Sequence, residues 1–277
     1  MRYKYNEIDL HIHTVDSDGK CTGRQIIEKA HEKGIKVLSV TDHNFFAVNS
    51  EVKELAEKYE MILIPGIEFT VFFESSFFHM MAYFNDKHAD KLNHLLAKYN
   101  RMKYKKVIEF MKKLKEEKIL FSTEKVAEFG RLSFKNIART LVLEGYADSY
   151  DEAMEKYVDN EQFFNCKVGL PLTEVVETIH SIGGIVSLAH PFQSFLNEQS
   201  LKSMIDRLAG MGLDGIEIYN GKDANNKTDV LRELAARYNL IETGGSDFHG
   251  SEEEHGLGIQ ENIAFDQDTV FWESLLG

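Results

Sequence analysis

Two hydrophobic patterns alternate along the chain. Short apolar runs read as buried strands, and longer stretches with apolar residues three and four apart read as amphipathic helices. The first strand is predicted over Ile8–Ile12. Thr22 then opens a helix, with Gln25 placed to complete a capping box, and Gly34 closes it. Strands follow at Val37–Val40, at Met61–Ile64 with Ile67–Phe73, and at Phe77–Phe84, with a helix over Ser50–Tyr59. From Lys87 to about Glu128 the chain is rich in Lys, Glu and Leu at helical spacing. Phe134–Leu143 continues that pattern, and Ser149 with Glu152 signals one more helix start. The strand rhythm then resumes. Helices are predicted over Thr173–Ser181, Leu201–Met211, Asp223–Tyr238 and Phe271–Leu276, and strands over Ile185–Ala189, Gly215–Tyr219 and Ile241–Gly244.

Strands alternating with helices imply a parallel sheet, and six or seven such units point to an α/β barrel of the TIM-like kind. The 277 residues suit one barrel with an insertion. The long helical region lacks the Pro, Gly and Ser of a linker, so it reads as a subdomain. Residues 1–85 and 168–277 are assigned to the barrel and 86–167 to the insertion. There is no internal repeat or low-complexity tract.

Charge narrows the partners. Lys and Arg number 32 against 45 Asp and Glu, a formal net charge of −13. That balance argues against tight binding of long nucleic acid. It permits a small phosphorylated substrate, because bound cations can supply positive charge locally. Cys21 and Cys166 are far apart and read as free thiols of a reducing compartment. Met1–Glu7 is polar and charged, unlike a signal peptide, and no apolar run approaches the ~18 residues of a membrane span. A cytoplasmic protein is expected; oligomeric state is not legible.

Nine metal-type residues sit where the predicted strands end. They are His11 and His13, followed by Asp18; His43; Glu68; His79 in the Phe77–Phe84 run; His190; and Asp247 with His249. Alternate residues of an extended segment point the same way, so His11 and His13 can face one cation, and Asp247 and His249 share that spacing. Imidazole and carboxylate without thiolate suit Mn, Fe or Zn. Glycines beside the ligands, Gly19, Gly66 and Gly245, permit tight turns or close backbone approach. A lone HxH, SDG or TDH is a weak signal, but nine such residues at the ends of separate strands match the place where barrel active sites assemble. Asp9 and Asp42 are read as partners that orient ligands or close hydrogen bonds. His31, His88, His94 and His180 read as solvated, and His255 lies in a loop near His249.

These residues carry a resemblance. DLHIHT with SDG, then TDH, PGIE, a single His, AHP and GSDFH occur in the order found in the PHP (polymerase and histidinol phosphatase) family. The resemblance runs from Ile8 to about Gly258, and Ser133–Gly145 and Ser149–Tyr157 look like the single-domain phosphoesterases of its nucleoside 3′,5′-bisphosphate phosphatase branch. It implies a distorted barrel of seven strands and two or three divalent metal ions. It assigns His11, His13, Glu68 and Asp247 to one metal, Glu68, His79 and His190 to a second, and Asp18, His43 and His249 to a third. Asn44 departs from relatives that carry an acid after TDH, with an effect expected only on residues around the ligands.

The implied reaction is hydrolysis of a phosphomonoester by metal-activated hydroxide, with Asp247, His249 and His190 as catalytic candidates. Arg131, Lys135 and Arg139 are candidate phosphate-binding cations; Lys135 and Arg139 are four apart and share a helix face. The resemblance implies that this insertion covers the site. A nucleoside 3′,5′-bisphosphate or short oligoribonucleotide is the leading substrate class. Histidinol phosphate, or a nuclease or proofreading module acting on polymers, is the alternative. Phe45, Phe46, Phe192 and Phe248 lie near the ligands and are candidates to stack a base.

Overall fold

The computed structural model describes residues 7–195, 197–220, 227–250 and 256–258. The predicted helix over Phe271–Leu276, the start of the one over Asp223–Tyr238, and His255 lie outside these residues. The chain divides into two compact units, Met1–Leu96 with Leu170–Gly277, and Ala97–Gly169.

In the first unit, β1 (Ile8–Ile12), β2 (Val37–Val40) and β3 (Ile62–Leu63) form a parallel three-stranded sheet in that order. Helices α1 (Gly23–Glu32) and α2 (Ser50–Lys58) connect them. The predicted capping box is present: the Thr22 hydroxyl accepts from Gln25 N, and Gln25 Oε1 accepts from Thr22 N at 2.8 Å. Gly34 takes the left-handed φ of +76° that lets the chain turn into β2. Ile26, Ile27 and Ala30 of α1 and Val52, Leu55 and Ala56 of α2 pack with Ile12, Leu38 and Val40 in one apolar cluster. Truncating Ile26 or Ile27 to Ala there would cost about 2–5 kcal/mol.

The second sheet has six strands in the order β6-β4-β5-β7-β8-β9. They are β4 (Gly66–Phe73), β5 (Ser76–Tyr83), β6 (Leu170–Pro171), β7 (Ile185–Leu188), β8 (Gly215–Asn220) and β9 (Ile241–Gly245). The expectation of a parallel sheet fails here: β4 pairs antiparallel with β5, and β5 antiparallel with β7. Only Glu74 and Ser75 separate β4 from β5, and both have positive φ, 45° and 68°, as a two-residue hairpin turn requires. The fold is therefore α/β with mixed sheets. Among the described residues the strands do not form one continuous closed ladder. Isolated parallel bridges, Ile12 of β1 to Phe248 beyond β9 and His43 beyond β2 to Glu68 of β4, connect the two sheets.

The second unit is helical. It contains most of α3 (Asn93–Glu116), then α4 (Thr123–Ala127), α5 (Phe134–Leu143) and α6 (Tyr150–Ala153). Its core centres on Phe110, whose ring lies 5.5 Å from Phe134 and from Phe164. Ser149 caps α6 by accepting from Glu152 N at 3.1 Å, and Glu152 Oε2 accepts from Asp148 N at 2.7 Å. No helix of the described residues is long and apolar enough to cross a membrane. Both cysteines are free; burial pushes the Cys166 thiol up to about 12.

Candidate metal centre

The structure gathers all nine candidate ligands into one cluster within the first unit. Four overlapping groups have ligand atoms within 4.8 Å of one another: His11, His13 and Asp247; His11, Glu68 and His190; His43, Glu68 and His79; and His13, Asp18, His43 and His249. Period-two geometry explains the first group. His11 and His13 present their Nε2 atoms to the same oxygens, 3.3 and 3.2 Å from Glu68 Oε2 and 3.4 and 3.2 Å from Asp247 Oδ1.

Glu68 is the hub. Its Oε1 lies 2.9 Å from both His79 Nδ1 and His190 Nε2. Its Oε2 faces His11, His13 and His43, the last at 3.0 Å from Nδ1. Yet Oε2, His11 Nε2, His13 Nε2, His43 Nδ1 and His190 Nδ1 are buried without a properly formed hydrogen bond. Buried polar atoms are rarely left so. Lone pairs that converge at about 3 Å without donor geometry are what a cation between them would satisfy. The nitrogen and oxygen donor set fits such an ion on the same ground.

Two expectations about local geometry are corrected. Glu68 and His79 do not end strands: Glu68 is third in β4 and His79 fourth in β5, because the hairpin extends beyond the cluster. Asp247 and His249 do not share an extended strand. β9 stops at Gly245, and Asp247 has φ +54°, so a turn brings His249 Nδ1 to 2.8 Å from the Asp247 carbonyl oxygen. His190, φ +25°, is also in the left-handed region that non-glycine residues seldom occupy. Gly245 packs directly on the His11 backbone, where a Cβ would collide, so β9 can approach β1 only with glycine there.

Asp9 and Asp42 act as latches. Asp9 is fully buried and accepts from Ser246 N at 2.9 Å, Ser246 Oγ at 2.6 Å and Gly258 N at 2.7 Å, tying the Asp247 turn to β1. Asp42 accepts from Thr14 N at 2.9 Å, Thr14 Oγ1 at 2.7 Å and Ser17 Oγ, which holds the loop carrying Asp18. Asn44 exchanges two bonds with Thr70 instead of entering the cluster: its Nδ2 donates to Thr70 Oγ1 at 3.0 Å, and its Oδ1 accepts from Thr70 N at 3.1 Å.

Sequence reasoning missed Glu217. This buried residue of β8 accepts from His11 Nδ1 at 2.9 Å, from His190 N at 2.6 Å and from Asn220 Nδ2 at 3.1 Å. The available signal was an acid at a core-facing position of the apolar run Gly215–Tyr219.

Charges within the cluster compensate one another. Burial by itself would depress His11 and His13, but Glu217, Glu68 and Asp247 raise His11 well above its ordinary value, and Asp247 and Glu68 raise His13 to about 9. Burial opposes ionisation of Glu68, Asp18 and Asp247, but surrounding histidines hold all three below the usual carboxylate range. Burial dominates at His43 and lowers it. His11, His13 and Glu68 are fully buried, whereas the Asp18, His43, His79 and His249 side chains are about a quarter to a third exposed, which marks the accessible side.

Other candidates fall elsewhere. His31 stacks on Tyr59, His94 bonds the Lys91 carbonyl and His180 bonds Asp214. Phe248 is wholly buried in the core and cannot stack a base, and Phe46 packs against that core. Phe45 is exposed, and Lys227 Nζ sits 4.5 Å over the Phe192 ring. Arg131, Lys135 and Arg139 are exposed residues of the second unit. There Arg139 donates to Asn136 Oδ1 at 2.9 Å and lies over the Tyr150 ring.

Comparison with known proteins places this geometry. The family model for the PHP domain matches residues 9–170. A 5′-3′ exoribonuclease of Haemophilus influenzae is 27% identical over 252 residues, covering 90% of this chain and 91% of the relative. A phosphoribosyl 1,2-cyclic phosphate 1,2-diphosphodiesterase of Eggerthella lenta is 28% identical, covering 87% and 94%. A 3′,5′-nucleoside bisphosphate phosphatase of Chromobacterium violaceum is 23% identical, covering 89% and 88%. The solved structure of a protein described as a metal-dependent phosphoesterase, from Bifidobacterium adolescentis, superposes with a TM-score of 0.75 at 27% identity, covering 97% and 95%.

Proposed function

Because the chain belongs to the PHP domain family of metal-dependent phosphoesterases, we propose that its cluster holds two or three divalent ions, Mn, Fe or Zn, and hydrolyses a small nucleotide phosphomonoester. The observation that carries this reading is the convergence of buried, unbonded nitrogens on Glu68 Oε2. His11, His13, Glu68 and Asp247 would hold one ion, Glu68, His79 and His190 a second, and Asp18, His43 and His249 a third. The groups actually within reach of one another add His13 to the Asp18 set, so the division between ions rests partly on the family pattern. A distorted seven-stranded barrel is part of the same reading, supported by the two isolated parallel bridges that connect the sheets.

Bound ions supply Lewis-acid charge for the phosphoryl oxygens and bring the pKa of water toward ~7. The protein's own residues do the rest. Glu68 and Asp247, held ionised by their histidines, keep negative charge at the floor of the site and suit cation holding better than proton transfer. Asp18, His43, His79 and His249 line the accessible side, where the ester arrives. His249, whose Nδ1–H donates to the Asp247 carbonyl oxygen, presents its Nε2 lone pair on the Asp18 side, so it would act by holding the third ion and not as the proton donor. His190, fixed by Glu68 through Nε2, completes the catalytic set. Arg131, Lys135 and Arg139 are proposed as the cations that bind the phosphate or a second phosphate of the nucleotide.

A nucleoside 3′,5′-bisphosphate or the end of a short oligoribonucleotide is the substrate class, supported by similarity along almost the whole chain to relatives named for those substrates. The two free cysteines support a reducing, cytoplasmic setting. The test is phosphate release across nucleotide, sugar and amino-acid esters in Mn-supplemented buffer. The reading predicts release from nucleoside 3′,5′-bisphosphates or short RNA well above that from histidinol phosphate. Equal or greater release from histidinol phosphate contradicts it.

A further inference from the structure

Glu217 touches the cluster from behind, and its surroundings are unusual in being all donors. One oxygen, Oε1, lies 2.9 Å from His11 Nδ1. The other, Oε2, accepts from the backbone N–H of His190 at 2.6 Å and from Asn220 Nδ2 at 3.1 Å. The side chain is 1% exposed, so water cannot replace any of these partners. Only a group that accepts on both oxygens fits, which is why a carboxylate stands between Ile216 and Ile218 in a buried strand.

We propose that Glu217 is a positioning residue that fixes the proton of His11 on Nδ1 and, through the same carboxylate, holds the strained backbone of His190, so that one side chain sets two candidate ligands. The inference rests on the metal-site reading above. His11 can lend a lone pair from Nε2, the nitrogen facing Glu68 and Asp247, only if its single proton sits on Nδ1. The Glu217 carboxylate enforces that tautomer. His190 has φ +25°, a conformation that persists in a non-glycine residue only where its surroundings impose it. Its N–H bond to Glu217 Oε2 is the charged anchor that imposes it. Strand β8 thus couples β1, which carries His11, to the turn after β7, which carries His190. Oε1 acts on His11 and Oε2 on His190, two members of the group that Glu68 already joins from the other side.

The substitution Glu217→Gln preserves shape but replaces one acceptor oxygen by an NH2. Turned toward His190 and Asn220, the amide leaves donors facing a donor. Turned toward His11, it bonds only if Nδ1 loses its proton, which moves the proton to Nε2 and removes the ligating lone pair. Either way the expected result is a folded protein whose metal affinity falls about 10–100-fold. Asn220→Ala removes one donor without touching the acceptors and is expected to change affinity less than about 3-fold.

The experiment is titration of Zn into metal-stripped wild type, E217Q and N220A by calorimetry. It is paired with long-range 15N–1H spectra of the Zn-loaded wild type, in which His11 should show a protonated Nδ1 and a metal-shifted Nε2. A wild type that binds no metal overturns the metal-site reading itself. A wild type that binds metal while E217Q binds with the same stoichiometry and affinity overturns the role of Glu217 alone. So does a wild-type His11 with its proton on Nε2, a readout that stands even if E217Q does not fold.

Discussion

The ionisable groups of the two compact units are handled in opposite ways. In the first unit His11, His13 and Glu68 are fully buried, face one another and leave polar atoms without donors. In the second, Arg131, Lys135 and Arg139 are exposed, and helix α3 carries eight Lys or Arg against two Glu in a chain whose net charge is −13. Exposed pairs there, such as Lys112 with Glu116 and Lys113 with Glu117, are helix-surface pairs worth little each. Burying charge demands compensation, and in the cluster Glu68, Asp18 and Asp247 are each matched by several histidines. The comparison teaches where a substitution should hurt. In the first unit a single atom should matter; in the second any loss should show only if its cations bind phosphate, as proposed.

The largest effect is expected at the hub. Glu68→Gln removes the one carboxylate shared by two candidate groups, so metal binding should be lost and kcat/KM should fall by at least ~10³-fold, the rate equivalent of several kcal/mol. Metal content and phosphate release measured together decide it, and a Gln variant that keeps both would break the contrast between units. Next is the phosphate side. Arg131→Ala and Arg139→Ala should each lower kcat/KM on the true substrate by about 10–100-fold while leaving metal content unchanged. If neither changes kcat/KM, the second unit has no part in binding phosphate.

Much of this was legible in the sequence, and the misses have physical causes. β1, β2 and α5 were read to the residue, because their patterns are bounded by clear turn and cap residues. All nine candidate ligands were named, since His, Asp and Glu in apolar strands are costly and stand out. The hairpin of β4 and β5 was missed because Glu74-Ser75 is not a glycine turn, although its backbone adopts one. The turn at Asp247 is not legible because spacing alone cannot reveal a positive φ. Glu217 is not legible because it contacts candidate ligands 206 and 27 residues away, a relation that topology alone creates.

A smaller effect sharpens the electrostatic side of the comparison. Without metal, His13 has its folded value raised to about 9 from 6.5, so its protonation stabilises the metal-free fold fully below pH 6.5 and is lost as pH rises through 9. The Tm of metal-free protein should therefore fall between pH 6.5 and 9. The increase in Tm on adding metal should grow over the same range, because ligation needs neutral imidazole. Scanning calorimetry of both forms checks it; a metal-free Tm that rises over that range would count against a histidine–carboxylate cluster held together by protons. Smallest of all should be Phe248→Tyr against Phe45→Ala. Phe248 is core, so its variant should change Tm, while Phe45→Ala should leave Tm within about 2 °C and alter only KM.

The central claim is that the buried cluster works by holding metal. It is tested most directly by stripping the purified protein with a chelator, measuring bound metal and phosphate release, and then restoring Mn stepwise. The account predicts that release disappears with the metal and returns as two or more ions bind per chain. Full phosphate release from protein shown to be metal-free would contradict it.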